Sequence, residues 1–190
     1  SLVWVMQTRA FSEVGAPYGP GVEDWGLETR SLVLVTVRDT AHLLSAGEEA
    51  LASGAADAVL LSAWGDGPAF TLTASRRLAL AATRGRSTGF FVRAAARPAP
   101  SAAETRWRVR AAPSTPQEAQ TPGLSVMGVE LLRTRSGVPT GEWIMEWDRE
   151  ARTFATPSAP CGLVPVPADR AKGVGQTGRG ASPTEGLDRL

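Results

Sequence analysis

The sequence predicts an α/β fold: a mostly parallel sheet flanked by helices, with a C-terminal antiparallel hairpin. Three observations predict it. Short, continuously apolar, β-branched runs recur through the first half of the chain, as in strands covered on both faces. Segments with apolar residues at helical spacing separate the later runs, which is the signature of right-handed βαβ crossovers. Beyond residue 104 the pattern changes to strict alternation, the mark of half-exposed antiparallel strands.

Taken in order, residues 2–6 (Leu-Val-Trp-Val-Met) read as the first buried strand. A helical turn near residues 10–14 leads into residues 15–30, where Gly15, Pro17, Gly19, Pro20 and Gly21 predict a surface connection. Residues 32–37 are the second buried strand. Asp39 or Thr40 can cap a helix carrying Leu43, Leu44, Ala50 and Leu51, which Gly54 ends. Residues 58–61 form the third strand, 72–84 a second amphipathic helix and 89–92 the fourth strand. Then come a Pro/Ala loop over 93–103 and an alternating strand over 105–111. Residues 126–133 and 142–148 form the hairpin, joined through the turn Gly137-Val-Pro-Thr-Gly141. Residues 1–155 therefore read as one domain. Residues 156–190, rich in Pro, Gly, Ser and Ala, read as a disordered tail whose one apolar island, 163–167, is a candidate docking peptide.

Composition narrows the function classes. The chain has 190 residues, 43% of them hydrophobic, with 20 basic against 19 acidic side chains. That mix fits one globular domain, and a net charge of +1 removes any global argument for nucleic acid or a membrane as partner. Cys161 is the only cysteine, which excludes an internal disulfide framework and multi-cysteine metal sites and fits a reducing, cytoplasmic setting. No stretch approaches the ~18 apolar residues of a membrane span. The chain opens at Ser1 at the edge of an apolar run, without an initiator Met, from which an upstream segment, removed or never included, is expected.

Several stretches carry a family resemblance. They are Glu49-Ala-Leu-Ala-Ser-Gly-Ala-Ala-Asp-Ala-Val, Leu72-Thr-Ala-Ser-Arg-Arg-Leu-Ala-Leu-Ala-Ala, Thr88-Gly-Phe-Phe-Val-Arg, Thr105-Arg-Trp-Arg-Val, and Val129-Glu-Leu-Leu-Arg with Gly141-Glu-Trp. Over residues 1 to about 154 the chain resembles the RecA-like core from its second strand onward, without the phosphate-loop unit, and is most similar to the ImuA family. The resemblance implies an accessory role in DNA-damage-induced (SOS) translesion synthesis in the bacterial cytoplasm. The partners it implies are an ImuB-like polymerase homologue and an error-prone replicative-type polymerase.

The residues do not support nucleotide hydrolysis. A RecA-type ATPase needs a glycine-rich loop ending in Gly-Lys-Ser/Thr, and the only lysine, Lys172, lies in the tail in the unrelated setting Ala171-Lys-Gly-Val-Gly. The resemblance places the water-activating glutamate near Thr8, the metal-holding aspartate at Ser62 and a glutamine sensor at Arg93-Ala94. None of these is the required residue, and Asp66 comes four positions after Ser62. His42, the only histidine, sits within a helix without an acid or nucleophile motif. The expectation is a non-enzyme with no cofactor and no metal.

The sharpest remaining signal is charge asymmetry. Between Gly67 and Ala112 stand Arg76, Arg77, Arg84, Arg86, Arg93, Arg97, Arg106, Arg108 and Arg110, against Glu104 alone. Arg76, Arg77, Arg93, Arg97, Arg106, Arg108 and Arg110 are candidate DNA or partner contacts, because guanidinium groups pair with phosphates and carboxylates in a bidentate manner. The bland alternative is a solvated face balanced by acids elsewhere. Trp64, read as a loop residue beside Gly65-Asp66-Gly67-Pro68, is a candidate partner anchor. Trp4, Trp107, Trp143 and Trp147 fall on strands, where core packing is expected. An uncovered sheet edge or face would require another chain to cover it.

The functional expectation is a mutasome adaptor. Two alternatives stand beside it: a RecA-paralogue modulator of recombination that binds single-stranded DNA and possibly RecA, and an ATPase whose phosphate loop lies upstream.

Overall fold

A computed structural model describes residues 1–115, 121 and 123–157 of the chain. The expected tail beyond residue 157, with Cys161, the island at 163–167 and Lys172, lies outside the described residues. The elements are β1 (Leu2–Gln7), α1 (Thr8–Val14), α2 (Gly19–Asp24), β2 (Leu32–Val37), α3 (Thr40–Ser53), β3 (Ala58–Trp64), α4 (Leu72–Gly85), β4 (Thr88–Ala94), β5 (Thr105–Ala111), β6 (Val126–Thr134), β7 (Gly141–Asp148) and β8 (Thr153–Ala155).

Four strands form a parallel sheet in the order β2-β1-β3-β4. The register sets Val5, Val35, Leu61 and Phe91 in one row and Trp4, Leu34, Leu60 and Phe90 in the next, so successive rows face opposite sides. The first set meets α3 and α4. Val5, Val59 and Leu61 from the strands join Leu43 and Leu51 from α3 and Leu78 and Ala81 from α4 in one buried cluster. Full burial of each leucine or valine contributes about 1.5–3 kcal/mol.

Local signals place these helices. Asp39 caps α3 by accepting the His42 N–H at 2.9 Å, and Gly54 ends it at φ 66°. Thr71 caps α4 through the Ala74 N–H at 3.1 Å. Two glycines permit the close approach: a Cβ on Gly47 would stand 2.3 Å from a Leu61 methyl, and one on Gly85 only 1.8 Å from the Leu51 carbonyl oxygen.

The opposite face is thinly covered. The short helix α1 lies against β1 and β3 and buries Ala10 and Met6, while Leu34, Phe90 and Val92 remain 41%, 54% and 52% exposed. Residues 32–37, expected to be buried, are therefore an edge strand. A continuous apolar run distinguishes strand from loop, but not a central strand from an edge one. Residues 15–30 are also more ordered than an open connection, because Gly19-Pro20 starts α2 with proline in the first turn, where its missing N–H costs nothing.

The predicted hairpin exists as β6 and β7. It does not extend the parallel sheet. With β5 and β8 it builds a separate antiparallel sheet, ordered β5-β6-β7-β8. Among the described residues, contacts at two places join the sheets. The Ala102 N–H donates to Ser75 Oγ on α4 at 2.6 Å. Beyond α2, Trp25 stacks on Trp147 with ring centroids 5.0 Å apart, and Trp147 Nε1 donates to the Asp24 carbonyl at 3.0 Å.

Candidate functional site

Open parallel sheets bind ligands beyond the carboxyl ends of their strands, where the strand order reverses. Here that crevice lies between β1 and β3, since the chain leaves β1 toward β2 and returns on the other side to β3. Several groups at this end are engaged in structural bonds, while Gln7 Oε1 is buried with no hydrogen-bond partner among the described residues. Thr8 Oγ1 donates to the Val37 carbonyl at 3.0 Å. Gln7 Nε2 reaches Thr40 Oγ1 at 3.5 Å. Ser62 is buried and accepts from Trp4 Nε1 at 2.9 Å. Thr8 and Ser62 thus hold neighbouring strands and the Trp4 ring, and neither carries a carboxylate for water activation or metal binding.

Strand β3 runs to Trp64, three residues beyond the expected end, and this changes two readings. Trp64 is the half-buried last residue of a strand and not a loop residue. Asp66 follows the strand by two positions and organises the ends of β3 and β4. It accepts the Arg97 N–H at 3.0 Å, Arg93 Nη2 at 2.8 Å and Arg97 Nε at 3.3 Å. The Arg97 backbone N–H, supported by the two guanidinium groups, holds the Asp66 carboxyl below its ordinary value. The Arg93 guanidinium also lies over the Phe70 ring, 4.8 Å from its centroid, and Phe70 meets Phe91 edge-on at 5.1 Å. Arg93 is thereby a locked, largely buried cation.

The other arginines separate by location. On α4, Arg77 pairs with Glu48 of α3 at 2.5 Å. On β5, Arg108 pairs with Glu130 at 2.6 Å and Arg110 with Glu142, while Arg106 donates to Ser101 Oγ at 2.9 Å. Gly128 makes room for Arg110, because a Cβ there would stand 3.1 Å from Arg110 Nε. The seven candidate arginines therefore occupy three regions: α4, the carboxyl end of the parallel sheet and the antiparallel sheet. Acids distant in sequence neutralise five of them: Arg77, Arg93, Arg97, Arg108 and Arg110. Among the described residues Arg76 and Arg84 pair with nothing.

His42 is exposed, with Nδ1 2.8 Å from Asp39 Oδ1 at the start of α3. The His42 N–H bond, followed by the ring contact, lowers the Asp39 pKa. Among the described residues, no three His, Cys, Asp or Glu side chains gather as a metal site requires.

Two features were missed in the sequence. Trp107 and Trp143, expected in the core, are 47% and 45% exposed and sit 6.1 Å apart. With Val129 and Met145 they line a shallow apolar groove of about 410 Å³. Strand alternation correctly opposes Trp107 to Arg106 and Arg108, but nothing local says which face is covered. The second is Leu80, 65% exposed on α4. It stands two residues from buried Leu78, about 200° around the helix, so helical periodicity alone could have found it.

The fold and these surfaces define an α/β protein of two sheets, one parallel and one antiparallel, with arginines distributed over three regions. Two curated proteins resemble it: Protein ImuA from Caulobacter vibrioides strain NA1000 / CB15N and Protein ImuA from strain ATCC 19089 / CIP 103742 / CB 15. Each is 33% identical to it over 157 residues, covering 77% of this chain and 60% of the relative. The chain thus spans about 60% of the length of the curated relatives it matches. No family model matches it. Among the described residues no helix is long and apolar enough to cross a membrane.

Proposed function

We propose that the chain belongs to the ImuA family and acts in the cytoplasm as a non-catalytic accessory protein of DNA-damage-induced translesion synthesis. In this role it bridges an ImuB-like polymerase homologue and an error-prone replicative-type polymerase through protein contacts. The similarity to Protein ImuA over 77% of the chain carries the reading. The chemistry of the crevice supports the non-catalytic part, because Thr8 and Ser62 are engaged as structural hydroxyls and Asp66 as a clamp for Arg93 and Arg97.

The test is a nucleotide-free pull-down of the full chain against purified ImuB-like protein, with ATP and single-stranded DNA in parallel arms. Stable capture without nucleotide is the expected result. Capture that requires ATP, or failure to capture in every arm, overturns the reading. Single-stranded DNA binding without protein capture would favour the recombination-modulator alternative. That alternative predicts salt-sensitive binding, lost when Arg93, Arg97 and Arg106 are replaced by alanine.

A further inference from the structure

The outer face of α4 carries exposed leucines beside arginines that pair with nothing among the described residues. Leu78 and Ala81 point into the core, Leu72 and Arg76 lie opposite them, and the ridge of residues four apart continues through Leu80 to Arg84, turning about 40° around the helix at each step. Leu80, at the middle of this stripe, is 65% exposed, and Leu72 is 38% exposed. Arg76 and Arg84 flank Leu80 by one turn on each side and pair with nothing among the described residues. Helix α4 carries no acidic residue, so nothing on the helix itself neutralises them. By contrast, the α4 arginine turned toward α3, Arg77, is satisfied by Glu48.

We infer that this stripe is a docking surface for an amphipathic helix of a partner protein, one bearing two carboxylates eight residues apart with an apolar side chain between them. The assignment rests on the adaptor reading above. Charge complementarity fixes the carboxylates: Arg76 and Arg84, eight residues or about 12 Å of helix rise apart, match acids at positions i and i+8 of a second helix. Ridges of residues four apart, inclined to the helix axis, are also what helix-on-helix packing interdigitates. A leucine between the arginines favours a protein over nucleic acid, because it offers no stacking surface for a base and no donor for a phosphate. Partner desolvation around Leu80 strengthens both flanking ion pairs.

The test measures the affinity of the full chain for purified ImuB-like protein, using the double variant Arg76→Glu/Arg84→Glu and, separately, Leu80→Ala. All three positions are exposed, and Leu80→Ala keeps helix propensity, so circular dichroism should stay unchanged. Expected losses are roughly 100-fold for the double variant and about tenfold for Leu80→Ala. Arg77→Ala, which removes a side chain already paired within the protein, should lose less than about threefold. Wild-type binding with both variants within threefold of it overturns the surface while leaving the adaptor reading intact. Absence of wild-type binding overturns both. Loss of single-stranded DNA binding in the double variant, with protein affinity unchanged, reassigns the stripe to nucleic acid and overturns the inference.

Discussion

Replacing Gly85 by alanine is a severe test of how α3 and α4 meet. The new Cβ would sit 1.8 Å from the Leu51 carbonyl oxygen, 3.0 Å from its carbon and 3.1 Å from the Gly54 nitrogen. These are backbone atoms of α3 and its C-cap, so no side-chain rotation relieves the clash. Reaching an ordinary separation of at least 3.4 Å requires a displacement of about 1.6 Å between the helix ends. Gaps of 0.5–1 Å already forfeit about a quarter to a half of the dispersion attraction between packed surfaces. The shift acts where Leu51, Leu78 and Ala81 share one cluster. Overpacking of this kind costs about 1–3 kcal/mol, and a contact against backbone belongs at the upper end. Alanine returns less than about 1 kcal/mol through helix propensity at this last helical residue. The net expectation is a loss of about 2–3 kcal/mol, a large share of the ~5–15 kcal/mol that stabilises a typical domain. Urea unfolding followed by circular dichroism measures it as a lower midpoint at unchanged slope. A loss under about 0.5 kcal/mol would refute the close helix approach.

Three other perturbations probe separate parts of the molecule. Asp66 has a lowered folded-state pKa, so its contribution is complete above the ordinary value of 3.8 and is lost as pH falls through the lower folded value. Asp66→Asn should therefore flatten the acid limb of stability against pH, and an unchanged limb would show that the Arg97 and Arg93 contacts do not persist in solution. Trp25→Ala should lower stability by about 2 kcal/mol, less than a fully buried tryptophan because Trp25 is 43% exposed, and should expose β7 and β8 to protease first. Equal protease resistance would contradict the stacking of Trp25 on Trp147. Ser87 is buried and its hydroxyl has no partner among the described residues, so Ser87→Ala should leave stability unchanged or raise it by up to about 1 kcal/mol. A loss beyond about 1 kcal/mol would reveal a hidden partner for that hydroxyl.

What could be read in the sequence follows from the range of the interactions involved. Helix α3 was legible from Asp39 to Gly54 because capping and periodicity are local. Strands β1, β6 and β7 were legible because an apolar or alternating run reports its own backbone state. Burial of β2 was not legible, since it depends on what lies beside the strand and not on residues 32–37 themselves. The extension of β3 to Trp64 escaped notice because Ser62 interrupts the apolar run, yet Trp4 supplies the donor that makes a buried serine tolerable at that position. The arginine asymmetry was legible as a count but its pairing was not, because Glu48, Asp66, Glu130 and Glu142 come from other elements to pair with five of the nine arginines. Among the described residues Arg76, Arg84, Arg86 and Arg106 are left without an acidic partner, and two of these flank Leu80.

Co-elution of a ternary assembly is the most direct measurement of the central claim. The ImuB-like protein and the error-prone polymerase would be passed through size exclusion with and without this chain, in the absence of nucleotide. Bridging predicts that the two partners shift together to larger size when the chain is present and that the chain elutes with them. Partners that associate equally well without it, or a shift that appears only when ATP is added and hydrolysed, would contradict a non-catalytic adaptor.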